Sequence, residues 1–234
     1  MKLSIVVPCF NEEKNLTLIL EKFNSHINRS DIEVILVDNG STDGSQKVFE
    51  EQIPRYSFAR LVRIENNIGY GHGILAGLKN AKGEFLGWTH ADLQTDPKDV
   101  LRALEKIEEK GNAKSLFIKG KRKGRPFFDE FFTKGMSLFE SLYLKKALWD
   151  INAQPNIFHK SFFDTWENPP NDFSLDLYSL FLAKKKKMDI QRMEVLFPPR
   201  VHGESSWNKG LASKWKFIKR TLVYSRQLKK VLLK

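Results

Sequence analysis

The chain has 234 residues, 41% hydrophobic and 29% charged, enough apolar material for a substantial core in one large domain or two small ones. A lone cysteine, Cys9 in an apolar run, excludes an intrachain disulfide framework and reads as a small buried hydrophobe; no stretch reaches the roughly 18 apolar residues of a membrane-spanning helix. The net charge of +11 is lopsided: residues 1–112 carry 14 Lys/Arg and 17 Asp/Glu, residues 113–234 carry 25 and 11, so the second half points to a polyanionic partner.

In chain order, "LSIVVP" (3–8) is rich in β-branched residues and ends at a proline, the pattern of a buried strand. "EEKNLTLILEKFNSHI" has apolar residues at 16, 19, 20, 23 and 27, which is helical spacing. "IEVILVD" (32–38) predicts a second strand. "NGSTDGS" predicts a turn in which Asp43 caps the next helix. "ARLVRIE" predicts a third strand and "GHGILAGLKNAKG" a small-residue helix. "EFLGWTH" predicts a fourth strand. "PKDVLRALEKIEEKG" predicts a helix opened by Pro97, with Asp96 as its N-cap, and closed by Gly111; "KSLFIKG" predicts a fifth strand.

Beyond residue 120 the pattern changes. "GKRKGRP" is a basic loop, and "FFDEFFTKGMSLFESLYLKKALW" predicts an aromatic helix from Phe127 to Trp149. "DFSLDLYSLFLAKKKK" predicts a helix whose Lys184–Lys187 end is solvated, and "DIQRMEVLF" a strand. The last 26 residues, from Lys209, hold nine Lys/Arg and no acid, with apolar spacing that allows a helix with one greasy side.

Strands alternating with helices of this length predict βαβ units and a mainly parallel sheet, whose ligands bind beyond the carboxyl ends of the strands. Three segments fall at such ends: Pro8–Glu13, Asp38–Asp43 and His90–Gln94. In the third, "HADLQTDP", Asp92 and Gln94 lie two apart, and both can point at one divalent ion bridging a diphosphate. By itself that short acidic segment equally suits a capped turn.

Four segments in this order, "VVPCFNEEKNL", "ILVDNGSTDGS", "NNIGYGHGI" and "HADLQTDP", resemble glycosyltransferase family 2. The similarity is greatest to its dolichol-phosphate mannose synthase and polyprenyl-phosphate sugar transferase branch, which reads "VVPTYNE", "VDDGSxDGT", "NxGxGxA" and "DADLQxxP". "KGKRKG" is similar to that family's Gly-x-Arg loop and "RVHGESS" to its Arg-x-x-Gly-Glu-Ser-Lys motif, so the resemblance covers residues 3–210. It implies an α/β, GT-A-like (Rossmann-like) mainly parallel sheet flanked by helices. The organisation expected is a transferase domain over 1–208 followed by a basic amphipathic C-terminal helix over 209–234.

By position, the resemblance implies that Pro8, Phe10, Glu12 and Asp38 line the nucleoside pocket, with His90 and Ala91 beside the nucleotide sugar. Asp92 becomes the main metal carboxylate, assisted by Gln94, for Mn²⁺ or Mg²⁺. Arg122, Lys134 and Arg200 face the acceptor phosphate, and Asp176 replaces a family acid with a catalytic role. The implied reaction is inverting transfer of a sugar from a nucleotide-diphosphate sugar to a polyprenyl phosphate, at the cytosolic face of an anionic membrane. A glycan or soluble hydroxyl acceptor, with Asp176 as base, and a sugar-nucleotide-binding pseudoenzyme are the alternatives.

The chain departs from the family at several places. His90 stands where a first carboxylate is usual, and it can serve metal or nucleotide. Asn39 replaces the second Asp of "VDDGS", Ser206 replaces a lysine, and "AQPN" stands for "GSFR". Base, sugar and oligomeric state are not legible. Nucleic acid is not an expected partner, because no recognition motif accompanies the charge.

Overall fold

The computed structural model describes residues 1–198 and 211–232. Its strands are β1 (Leu3–Cys9), β2 (Ile32–Asn39), β3 (Ala59–Ile64), β4 (Phe85–Trp88), β5 (Leu116–Lys123), β6 (Asn156–His159) and β7 (Asp189–Leu196). Its helices are α1 (Glu13–His26), α2 (Ser45–Gln52), α3 (Tyr70–Asn80), α4 (Pro97–Glu109), α5 (Phe127–Tyr143), α6 (Lys160–Phe163), α7 (Leu175–Lys185) and α8 (Leu211–Leu232). The seven strands form one sheet in the order β3-β2-β1-β4-β6-β5-β7. Only β6 runs against its neighbours, β4 and β5. The expected mainly parallel α/β sheet is therefore the architecture found.

Although β1 reads as an unbroken apolar run, its side chains divide by the two-residue period of a strand. Leu3, Ile5, Val7 and Cys9 enter one core with Leu16, Ile19, Leu20 and Phe23 of α1 and Val100, Leu104 and Ile107 of α4. Val6 faces the other core, built from Ile74, Leu75 and Leu78 of α3 and Leu180 and Phe181 of α7. Helix α3 approaches the sheet closely at Gly77, where a Cβ would collide with Val6. Cys9 is buried, as expected, and its thiol donates to the Val7 carbonyl.

The caps behave as the sequence predicts. Asp96 accepts from the Lys98 N–H at 2.9 Å ahead of Pro97, and Gly111 adopts φ +65° just past the end of α4. Asp43 serves two helices, accepting from the Ser45 N–H at 3.0 Å and the Glu13 N–H at 3.2 Å.

Three expectations change. Strand β6 has no counterpart among the expected strands, because "NIFH" is four residues long and its two apolar residues, Ile157 and Phe158, between polar neighbours are too few to show a period. Helix α5 ends at Tyr143 rather than Trp149, where Ser141 Oγ turns to bond Leu148. The apolar positions expected on one side of the last helix divide: Trp215 and Leu222 are exposed, whereas Leu228 is buried. On that inner side Ser225 Oγ donates to Glu140 of α5 at 2.7 Å, and the Lys229 ammonium lies 4.3 Å from the Tyr143 ring centroid.

Candidate donor site at the carboxyl ends of the strands

β1, β2 and β4 are adjacent and parallel, so their carboxyl ends open on one edge of the sheet. This brings together Pro8–Glu13, Asp38–Asp43 and His90–Gln94, the three segments singled out from sequence.

The first two loops are stitched to each other. Asn11 (φ +56°) accepts from the Thr42 N–H at 2.8 Å and donates its own N–H to Ser41 Oγ at 3.1 Å. The Glu12 N–H donates to Ser45 Oγ, and Glu12 Oε2 accepts from Asn15 at 2.6 Å. Phe10 is exposed. Asp38 is buried; its Oδ1 accepts from the Ser41 N–H at 3.0 Å, and Oδ2 lies 3.7 Å from Arg63 Nε.

Asn39 has a use an aspartate lacks. Its Nδ2 donates to the Gly69 carbonyl at 3.0 Å and to Asn67 Oδ1 at 3.3 Å, pinning the loop that starts α3. A carboxylate would face two acceptors there. Gly69 itself has φ +144°, and a Cβ on it would collide with the Asn171 carbonyl.

After β4 the chain turns sharply. Thr89 and Thr95 close the turn through a 2.8 Å hydroxyl pair, and Leu93 takes φ +60°. Ala91 and Asp92 are buried, and Asp92 Oδ1 accepts from the Gln94 N–H at 3.1 Å. The Gln94 amide donates to the Pro198 carbonyl at 3.0 Å. His90 is half-buried and stacked on Tyr70, with centroids 5.9 Å apart.

Among the described residues no group of three or more His, Cys, Asp or Glu side chains is placed to hold a metal. His90, Asp92 and Gln94 supply one carboxylate and two neutral donors. That set suits a cation whose remaining ligands are diphosphate oxygens rather than a resident ion held by the protein alone.

Behind this edge lies a buried polar network that the sequence does not announce. Oδ1 of Asp176, at the start of α7, accepts from Trp88 Nε1 at 3.3 Å, Gln154 Nε2 at 3.1 Å and Asn156 Nδ2 at 3.0 Å. Gln154 Nε2 also donates to the Tyr70 hydroxyl at 3.1 Å, and its Oε1 accepts from Asn156 at 2.7 Å. The Lys119 ammonium donates to Asn156 Oδ1 at 2.6 Å and the Ala153 carbonyl at 3.0 Å. Burial pushes the Asp176 carboxyl above the usual carboxylate range and pulls Lys119 down to about 7. Burial likewise raises the Tyr70 hydroxyl well above its ordinary value, helped by the Asp176 and Asp92 charges.

Asp176 is thus enclosed, and one of its oxygens already takes three donors, which is the setting of a group that orients its neighbours. The "AQPN" departure has a physical role here: Gln154 and Asn156 hold Asp176.

Of the residues expected to face an acceptor phosphate, Arg122 and Lys134 are described. Arg122, at the end of β5, gives its backbone N–H to Asp150 Oδ2 at 2.7 Å and its guanidinium to Asp150 Oδ1, while stacking 5.2 Å from the Phe197 ring. Arg125 lies over the same ring and donates to Thr133 Oγ1. Lys134 is exposed on α5 and paired with Glu130 at 2.8 Å. Arg200 and the "RVHGESS" segment, Ser206 included, lie outside the described residues. Sequence reasoning missed Tyr70, Lys119, Asp150, Gln154 and Asn156. Among these only the "AQPN" departure carried a signal.

A seven-stranded α/β sheet with its strand-end loops gathered on β1, β2 and β4 defines a GT-A-like protein. Residues 4–166 match the profile of glycosyl transferase family 2, and the chain belongs to that family. It is 25% identical over 211 residues to a dolichol-phosphate mannosyltransferase of Pyrococcus furiosus, a match covering 88% of this chain and 59% of that protein. It is 34% identical over 115 residues to a dodecaprenyl-phosphate galacturonate synthase of Rhizobium johnstonii, covering 47% and 33%. The chain thus spans between about a third and three fifths of the length of these curated relatives. In fold it is similar to glucosyl-3-phosphoglycerate synthase of Mycobacterium tuberculosis, crystallised with Mn²⁺, UDP and glucosyl-3-phosphoglycerate: the TM-score is 0.70 at 15% identity, covering 96% and 78% of the two chains.

Proposed function

We propose that this chain is an inverting glycosyltransferase that moves a sugar from a nucleotide-diphosphate sugar to a polyprenyl phosphate. The observation that carries the reading is the Asp92 carboxylate, fixed in the turn after β4 beside the strand-end loops of β1 and β2. The family assignment and the relatives named for polyprenyl-phosphate acceptors support it.

In this reading Pro8, Phe10, Glu12 and Asp38 hold the nucleoside, and His90 and Ala91 flank the nucleotide sugar. Asp92 and Gln94, with His90, hold Mn²⁺ or Mg²⁺ against the diphosphate; when bound, such a cation offsets charge on the leaving group. Cations crystallised in proteins of similar fold support this assignment. Arg122, Lys134 and Arg200 receive the acceptor phosphate, where Arg122 exchanges part of its bonding to Asp150 for phosphate oxygens.

A phosphate monoester has its second pKa near 6. It is already largely dianionic at neutral pH and needs no protein base. Catalysis then rests on alignment and charge stabilisation. The enclosure of Asp176 favours this route over transfer to a hydroxyl, which requires a base in contact with the acceptor.

We place the acceptor's lipid at the α5–α8 face of a domain spanning 1–208, with 209–234 as a docked basic helix. Phe127, Phe131, Leu138 and Leu142 are exposed at helical spacing on α5, and Trp215, Leu222 and Val223 are exposed on α8. Lysines flank both, which suits peripheral binding to an anionic bilayer. No helix among the described residues is long and apolar enough to cross a membrane.

The test incubates the protein with a panel of nucleotide sugars, Mn²⁺ or Mg²⁺, and a short polyprenyl phosphate. A lipid-linked sugar is expected. Transfer only to hydroxyl acceptors, or nucleotide binding without turnover, overturns the reading. For the surface, flotation with anionic liposomes at low salt is expected to carry the protein up; none in the floating fraction overturns it.

A further inference from the structure

Four side chains from four separate segments meet in a chain of pairwise ring contacts. His90, in the turn after β4, lies 5.9 Å from Tyr70, the first residue of α3, at an interplanar angle of 30°. Tyr70 lies 4.7 Å from Phe173, just before α7, at 11°. The Arg220 guanidinium of α8 lies over the Phe173 ring, 5.2 Å from its centroid. Arg220 is also 3.6 Å from Asp172, the neighbour of Phe173, so it grips this segment by charge as well as by the ring face.

The middle of the stack is anchored. The Tyr70 hydroxyl accepts from Gln154, which is itself held on Asp176. Its backbone is fixed from below, because the Gly69 carbonyl accepts from Asn39 and the His72 N–H donates to the Asn171 carbonyl at 2.9 Å. Tyr70 is therefore joined to the 171–173 segment both through its ring and through the adjoining backbone. The outer end of the stack is on α8, which also carries the exposed Trp215, Leu222 and Val223.

We infer that Arg220 and Phe173 are positioning residues for the donor site: through Tyr70 they set the His90 imidazole, and so tie the placement of helix α8 to nucleotide-sugar binding. The donor-site part of this inference rests on the function proposed above. The stack itself does not. An aromatic pair contributes a preference of between about two- and tenfold for its stacked arrangement. Loss of the outer layer should release His90 by a similar factor rather than unfold the site. Seating α8 on a lipid surface would then favour the ordered stack, coupling the surface to the donor pocket without any contact between them.

The first test needs no ligand. In the full chain at one fixed pH, the His90 ring protons are read by NMR, assigned with His90→Gln, with His26 and His159 as internal controls. Arg220→Ala and Phe173→Leu are expected to move the His90 signals toward exposed-histidine values, because the Tyr70 ring current weakens, and to leave His26 and His159 in place. Arg220→Lys, which keeps a cation over the ring, is expected to retain most of the wild-type shift. Unmoved His90 signals in both Arg220→Ala and Phe173→Leu overturn the inference.

The second test uses whichever nucleotide sugar and polyprenyl phosphate are turned over in the panel. Both variants should raise KM for the nucleotide sugar between about two- and tenfold with a smaller change in kcat. A fall in kcat alone, with KM unchanged, overturns the donor-site part. If the wild-type protein turns over nothing in the panel, the proposed function fails, and the NMR result still decides whether the stack positions His90.

Discussion

The two halves of this protein build their sites in opposite ways. On the β1–α4 side the strand-end loops are organised by bonds within turns and between two adjoining loops: Asp92 with Gln94, Asp43 with Ser45, Asn11 with Thr42. On the β5–α8 side buried polar groups reach partners 85 and 88 positions away: Glu140 with Ser225, Asp176 with Trp88. The first half is a set of local motifs set on a parallel sheet. The second half is a buried charge network under an apolar, basic surface. Damage to the first should therefore strike chemistry with little loss of fold, and damage to the second should strike stability first.

The largest effect is expected from Asp92→Ala. In the proposed function Asp92 holds the cation, so its removal should lower kcat/KM by about 10²–10³-fold, with urea unfolding nearly unchanged. A parallel collapse of the urea midpoint would break the contrast. Gln154→Leu should do the reverse. It strips a donor from Asp176 and from the Tyr70 hydroxyl and an acceptor from Asn156, and is expected to reduce stability by about 2–4 kcal/mol in urea unfolding.

Lys119→Met sharpens the same point through pH. The Lys119 value of about 7 in the folded protein lies below the ordinary lysine value near 10.4, so between those limits the unfolded chain binds the extra proton. Stability due to this group rises with pH across that window, and its full burial penalty is present below about pH 7. Wild type should therefore gain roughly 1–3 kcal/mol on Lys119→Met between pH 6.5 and 9.5, read from paired urea midpoints. A pH-independent difference would show that the network carries the amine without penalty.

Asp96→Ala, in the same half as Asp92, removes the N-cap of α4 and should lower stability by about 1 kcal/mol with turnover unchanged. The smallest effect is expected from His90→Asp. Turnover should stay within about threefold, while the preference shifts from Mn²⁺ toward Mg²⁺, because a carboxylate suits the harder ion. Loss of activity in that variant would mean that the imidazole itself serves the nucleotide.

How far the sequence reaches differs between the halves for the same reason. Apolar periodicity located β1, β2, α1 and α4, and Asp96, Pro97 and Gly111 marked the ends of a helix, because these signals act within a turn or a strand. Motif resemblance located Asp38 and Asp92 for a similar reason: each works where its own backbone turns. Strand β6 escaped, because four residues between two partners are held by the sheet and not by their own pattern. Asp176 could be read as a base until its burial and three donors were seen, and Arg122 stood among other basic residues until Asp150 distinguished it.

By itself, the sequence determined the alternation of strands and helices, the order of the ligand loops and the family, because these depend on short-range pattern. Only the tertiary structure decided that β6 enters antiparallel, that "AQPN" carries the support for Asp176, and that His90 stacks on Tyr70 in line with Phe173 and Arg220. Those contacts join residues 20 to 103 positions apart, and burial, not local propensity, selects which of many chemically similar partners meet.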